Sequence, residues 1–140
     1  MSDFRLDARL AADSHWVVDG PLSQLRLMDD TRFPWLVLVP RIAGAVEWFE
    51  LEAGEQRQLL DEVTRAGRLL KAEFSHSKIN VGALGNIVRQ LHVHVVARHA
   101  DDAAWPGPVW GSGEALRFSA DALGQRLAAL RAQWARPGST

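Results

Sequence analysis

The segment Gln90-Leu91-His92-Val93-His94-Val95-Val96 holds the side chains best suited to chemistry. Along a strand, successive side chains point to opposite faces. Gln90, His92 and His94 therefore share one face, and Leu91, Val93 and Val95 share the other. The apolar row reads as core, which leaves two imidazoles and an amide in line on the opposite surface. Three readings fit such a row. It can be an exposed sheet face that happens to carry histidines. It can be a metal site, because two His at i and i+2 can both ligate zinc. A third ligand would then come from His99, His76, His15 or a carboxylate, and no second His/Glu motif has matching spacing. It can be a site of nucleophilic catalysis at phosphorus, with one imidazole attacking while the neighbouring His and Gln stabilise charge.

Positioning such a row requires a sheet with a covered back. Trp16–Asp19 and Gln24–Met28 read as short strands, and Asp19-Gly20-Pro21 between them is a turn signal that predicts a hairpin. Trp35–Val39 is a continuous apolar run closed by Pro40, the pattern of a buried strand. Lys78–Val81 and Leu91–Ala97 read as two further strands separated by Gly82–Asn86. A short helix is expected within residues 4–13. The clearest helix spans Gly54 to Phe74, with Leu59, Val63, Ala66, Leu70 and Phe74 on one face. Arg57, Asp61, Glu62, Arg65, Arg68 and Lys71 fall on the other face, and the start lacks the usual Ser, Thr, Asn or Asp cap. Ser119 is placed to cap a last helix, about 119–136, that aligns Leu123, Leu127, Leu130 and Trp134. Strands, helix, strands, helix is an α+β order, an antiparallel sheet with helices on one side.

Composition narrows the function classes. The chain has 140 residues, 47% hydrophobic and 24% charged, as expected of one globular domain over 1–140. It has no Cys, which excludes disulfides, thiolate metal sites and a cysteine nucleophile. Lys and Arg number 16 against 17 Asp and Glu, so no basic excess suggests a nucleic-acid footprint. The stretch Met1–Leu10 lacks the apolar region of a signal peptide, and the longest apolar run, Trp35–Pro40, is too short to cross a bilayer. A soluble, cytoplasmic protein is the expectation.

The segment QLHVHVV resembles the His-φ-His-φ-His-φ-φ signature of the histidine-triad (HIT) superfamily of nucleotide hydrolases and transferases, with Gln90 in place of the first His. Met28-Asp29-Asp30 and Phe33-Pro34-Trp35, followed by Leu36-Val37-Leu38-Val39-Pro40-Arg41, are similar to the family's ribose-binding residue and the strand after it. Ile79-Asn80-Val81-Gly82 and Gly85-Asn86 are similar to its phosphate-facing strand and loop. The stretch from Asp101 to Gly111 resembles the tail of a small bacterial subfamily. The likeness covers about 14–111 and implies a HIT-like fold of approximately five antiparallel strands, a long helix and a C-terminal helix.

The resemblance also implies roles. His92 would attack the α-phosphorus of a nucleotide, and a free imidazole, with a pKa of about 6.5, is mostly neutral at pH 7. The backbone carbonyl of Gln90 would hold the His92 Nδ1–H, a task that does not depend on the Gln side chain. His94 would hold a non-bridging oxygen or assist the leaving group. Asp29, or Asp30 in its place, would bind the ribose hydroxyls. Asn80, Asn86 and the backbone near Gly82 and Gly85 would face phosphates. Arg41 and Arg98 could also contact phosphate, His99 is a weaker candidate, and Phe4 or Leu27 could line the base pocket. Trp35 and Trp134 read as packing, whereas Trp105 and Trp110 could close over the nucleotide or meet a partner subunit. No cofactor is required, although Mg²⁺ could accompany the nucleotide. No GK[ST] P-loop is present. The expected assembly is a homodimer through the long helix, and the expected partner is a small nucleotide, with no nucleic acid and no membrane. A nucleotidyl transferase and a non-catalytic nucleotide-binding or sensor protein are the alternatives to a hydrolase.

Overall fold

A computed structural model describes residues 3–136. Five strands, β1 (Ser14–Asp19), β2 (Ser23–Met28), β3 (Trp35–Pro40), β4 (Lys78–Gly82) and β5 (Val93–Arg98), form one sheet in the order β1-β2-β3-β5-β4. Every neighbouring pair is antiparallel. Helix α1 (Ala8–Asp13) leads into β1, α2 (Ala53–Glu73) crosses from β3 to β4, and α3 (Ala120–Ala135) closes the described chain. A single turn of 3₁₀ helix at Trp48–Glu50 precedes α2. No helix among these residues is long and apolar enough to cross a membrane.

The alternation of side chains in the central strands sorts the molecule into two layers. Leu36 and Leu38 of β3, with Val95 and Ala97 of β5, face the helices and pack with Ala66, Leu69 and Leu70 of α2 and with Leu130 and Trp134 of α3. Trp35 of β3 and Val96 of β5 face the other way and pack with Phe33 and Val109. That second face is covered by the Gly- and Pro-rich segment after β5 rather than by helices. Both faces of β3 are therefore covered, and all six of its residues are buried, which explains why its sequence is continuously apolar rather than alternating.

Helix α2 differs from expectation at two points. Its start is capped by a carboxylate: Glu55 Oε1 accepts the backbone N–H of Glu52 at 2.9 Å. Glu62, expected on the solvent face, is buried at 3% exposure. The reason is tertiary. Its Oε2 accepts the backbone N–H groups of Leu22 and Ser23, at 2.8 and 3.3 Å, and so pins the β1–β2 turn onto the helix. A Cβ added at Gly20 would stand 2.6 Å from the same oxygen, so any larger residue there would push the carboxylate away from the turn amides. Replacing Glu62 by Ala would leave the Leu22 and Ser23 amides unpaired. It is expected to cost roughly 2 kcal/mol in chemical denaturation, with Glu62→Gln recovering most of the loss through its remaining acceptor.

Candidate active site

Strand β5 begins just after His92, and its alternation carries the site. His94 and Val96 lie on the loop-covered face, opposite Val93, Val95 and Ala97 in the helix-facing cores. His92 and His94 are nearly buried, at 7% and 5% exposure. Their rings meet edge to face with centroids 4.9 Å apart. Both line a cavity of about 310 Å³, together with Gly85, Asn86 and Trp110 from the covering loops and Leu10 from α1. Gly85 adopts φ +71°, which a glycine enters without steric cost. Gly82, paired in register with His94, leaves room for Trp110: an added Cβ would come 3.1 Å from the indole Cη2.

The partners of the two imidazoles fix opposite tautomers. His92 Nδ1 lies 2.6 Å from the carbonyl oxygen of Gln90. A carbonyl only accepts, so Nδ1 carries the proton and Nε2 keeps a lone pair. His94 Nδ1 lies 2.9 Å from the indole Nε1 of Trp35. An indole N–H only donates, so His94 Nδ1 is unprotonated and its Nε2 carries the proton. One ring thus offers a nucleophilic nitrogen and the next offers a hydrogen-bond donor. Burial, reinforced by the neighbouring His92, pushes the His94 pKa down to about 3, so that ring stays neutral at physiological pH. Trp35 on one side and Trp110 on the other, with centroids 5.6 and 5.4 Å from His94, hold it in place.

This gives Trp35 a role that its core-like position conceals. Replacing it by Phe keeps most of the packing and removes the N–H, releasing the second tautomer of His94. Imidazole ¹⁵N shifts are expected to report both neutral tautomers in place of one.

The remaining residues singled out in the sequence divide into two groups. His92, His94, Gly85 and Asn86 are brought together at the cavity. Asp29 lines an adjoining cavity of about 330 Å³ instead. Its carboxylate accepts from the Phe118 N–H and from Arg117 Nη1, both at 2.9 Å, and lies 3.1 Å from His15 Nε2. Burial opposes its ionisation, but the Phe118, His15 and Arg117 contacts outweigh that and hold its pKa below the usual value. Asp30 is bound by the Arg32 side chain and the Leu116 N–H. Asn80 Oδ1 accepts from Arg98 Nη1 at 3.0 Å.

Arg98 itself is 2% exposed. It holds both carboxylate oxygens of Asp102, at 2.7 and 3.0 Å, rather than a phosphate. Arg41 Nη2 donates to the carbonyls of Gly20 and Pro21. Leu27 is 1% exposed within the helix-side core, so it is not part of a base pocket. The Gln90 side chain does not stand in line with the imidazoles as a charge-stabilising amide. Gln90 precedes β5, and its amide is bonded to the backbone of Arg5 and Asp7. Among the described residues, no three His, Cys, Asp or Glu side chains are grouped so as to hold a metal ion.

The HIT domain family matches residues 9–101, a span that includes the sheet, α2 and both imidazoles. The chain belongs to the HIT family. Solved structures of HIT proteins share its architecture. A histidine triad protein from Bradyrhizobium japonicum is 43% identical, with 93% of this chain and 97% of that chain covered at a TM-score of 0.90. One from Sinorhizobium meliloti is 45% identical over 94% and 97% of the two chains, with a TM-score of 0.91. One from Marinobacter aquaeolei is 39% identical over 94% and 96%, with a TM-score of 0.91. No curated protein matches the chain. The five-stranded antiparallel sheet, long α2 and C-terminal α3 are a HIT-like α+β fold.

Proposed function

We propose that this HIT protein hydrolyses a nucleoside phosphoramidate or a dinucleoside polyphosphate through a covalent nucleotidyl-His92 intermediate. The observation that carries the reading is the pair of opposed tautomers inside one cavity. His92 Nε2 uses its lone pair to form a bond to the α-phosphorus, and the bond from phosphorus to the leaving group breaks with its electrons, the departing amine or phosphate taking its proton from solvent water. The Nε2–H of His94 donates to a non-bridging oxygen, where negative charge grows in the transition state. A neutral imidazole N–H is too weak an acid to protonate the leaving group, so this role suits His94 better than acid catalysis. Water then attacks the same phosphorus and gives up a proton to solvent, the P–N bond breaks with its electrons returning to Nε2, and His92 regains its starting tautomer with release of a nucleoside monophosphate. No step draws on a metal of the protein's own, and Mg²⁺ would arrive on the nucleotide's phosphates. The site as drawn acts on a soluble cytoplasmic nucleotide.

Family membership supports this reading, because HIT proteins are generally nucleotide hydrolases or transferases. Hydrolysis is preferred over transfer because the sequence marks no second substrate pocket. Purified protein is expected to turn over members of a panel of phosphoramidates and dinucleoside polyphosphates. Tight binding of AMP by calorimetry with no turnover of any of them would favour a non-catalytic nucleotide-binding protein instead.

We also propose a homodimer through α2 and β4. Leu60 of α2 and Val81 of β4 are 64% and 53% exposed, and Trp48 beside them is 54% exposed. They line one open, mostly apolar depression, the kind of patch that a partner surface covers. Light scattering is expected to give twice the 15.5 kDa monomer mass. A monomer would refute the assembly.

A further inference from the structure

The Gln90 side chain uses both ends of its amide on one piece of backbone. Its Oε1 accepts the Asp7 N–H at 2.8 Å, and its Nε2 donates to the Arg5 carbonyl at 2.7 Å. Two bonds to residues i and i+2 of an extended segment form a clamp that a planar amide matches. An imidazole also offers one donor and one acceptor, but they point away from each other around the ring, so it does not match this side-by-side pair. The clamped segment leads directly into a functional wall. Asp7 is the N-cap of α1, its Oδ1 accepting from the Arg9 and Leu10 N–H groups. Helix α1 then places Arg9, Leu10 and Asp13 along the cavity that holds His92 and His94. Residue 90 thus serves the site twice: its carbonyl sets the tautomer of His92, and its side chain sets the position of the opposite wall.

We infer that Gln90 is a positioning residue for substrate binding, fastening the 5–7 segment and α1 as a wall of the nucleotide cavity, and takes no part in proton transfer. Loss of the side chain leaves the carbonyl in place, so the nucleophile keeps its tautomer while the wall loosens. The kinetic consequence rests on the hydrolase reading above, whereas the structural one does not.

The test compares full-length Gln90→Ala and Gln90→Glu with the unmodified protein, using amide hydrogen exchange together with Michaelis constants for a nucleoside phosphoramidate. In Gln90→Ala, loss of two hydrogen bonds is expected to speed exchange at Asp7 and through α1 by roughly tenfold or more, while β5 amides stay protected. KM is expected to rise by a similar factor, with kcat changed by about twofold or less and its pH profile unmoved. Gln90→Glu keeps the acceptor for the Asp7 N–H and loses the donor to Arg5, so it should fall between the two. Unchanged exchange at Asp7 and α1 in Gln90→Ala would overturn the clamp. A fall in kcat with a displaced pH profile would overturn it too, by placing the amide in the chemistry. If the unmodified protein turns over neither a phosphoramidate nor a dinucleoside polyphosphate, the hydrolase reading fails, and the exchange result still decides the clamp.

Discussion

His92→Ala is expected to lower turnover of a phosphoramidate or dinucleoside polyphosphate on the order of 10⁴-fold or more, because in the proposed mechanism it removes the nucleophile rather than a supporting contact. The nearest imidazole cannot substitute. His94 keeps its lone pair on Nδ1, where the Trp35 indole covers it, and shows the cavity only an N–H. Direct attack by water would remain, aided by that N–H, and sets the residual rate. Folding should survive, because the ring's one described hydrogen bond, to the Gln90 carbonyl, contributes about 1 kcal/mol. Circular dichroism and melting temperature check that point, and steady-state kinetics check the rate. A variant within tenfold of the unmodified rate would remove His92 from the mechanism.

Arg98→Met is expected to have the largest effect on stability. Arg98 spans the junction between the sheet and the segment that covers it, holding Asp102 with two bonds and Asn80 with a third. The Asp102 carboxylate also accepts the N–H groups of His99 and Ala104, which shapes the turn after β5. Arg98 lies within cation–π distance of Phe33 and Trp105, 5.7 Å from each ring centroid. Removing one member of a buried pair leaves the other charge poorly compensated, here by the His99 and Ala104 amides alone, a loss of about 3–5 kcal/mol. For a chain of this size that corresponds to a fall in melting temperature of roughly 10–15 °C. Removing Asp102 as well, as Arg98→Met with Asp102→Leu, should restore part of the loss, because no unpaired charge remains. Activity should fall in step, since the same segment delivers Trp110 to the face of His94.

The features legible in the sequence were those written in local periodicity. The continuous apolar run at Trp35–Pro40 became the doubly covered β3. The alternation after Leu91 placed His94 on the face opposite Val93 and Val95. The stepping of Leu59, Ala66 and Leu70 gave the buried face of α2, and Ser119 does cap α3, its hydroxyl accepting the Ala122 N–H. The features that were not legible depend on partners far along the chain. Trp35 reads as packing until β3 and β5 pair and bring its indole to His94, 59 residues away. Gln90 reads as an amide in line with the imidazoles until its side chain finds Asp7, 83 residues earlier. The partners of Asp29 are likewise distant, with the Phe118 amide and Arg117 reaching it from the segment before α3. Glu62 falls on the polar side of a helical wheel because periodicity cannot foresee two orphan amides in a facing turn. Hydrophobic spacing specifies which face is inside. It does not specify which polar group will be brought inside to satisfy another.

The nucleophile is tested most directly by a single-turnover experiment, quenched under alkaline denaturing conditions that spare a P–N bond and read by peptide mass spectrometry. The account predicts a transient adduct of one nucleoside monophosphate on the His92 side chain, formed and lost at rates consistent with kcat. Turnover throughout the time course with no adduct, or with the adduct on another residue, would contradict it.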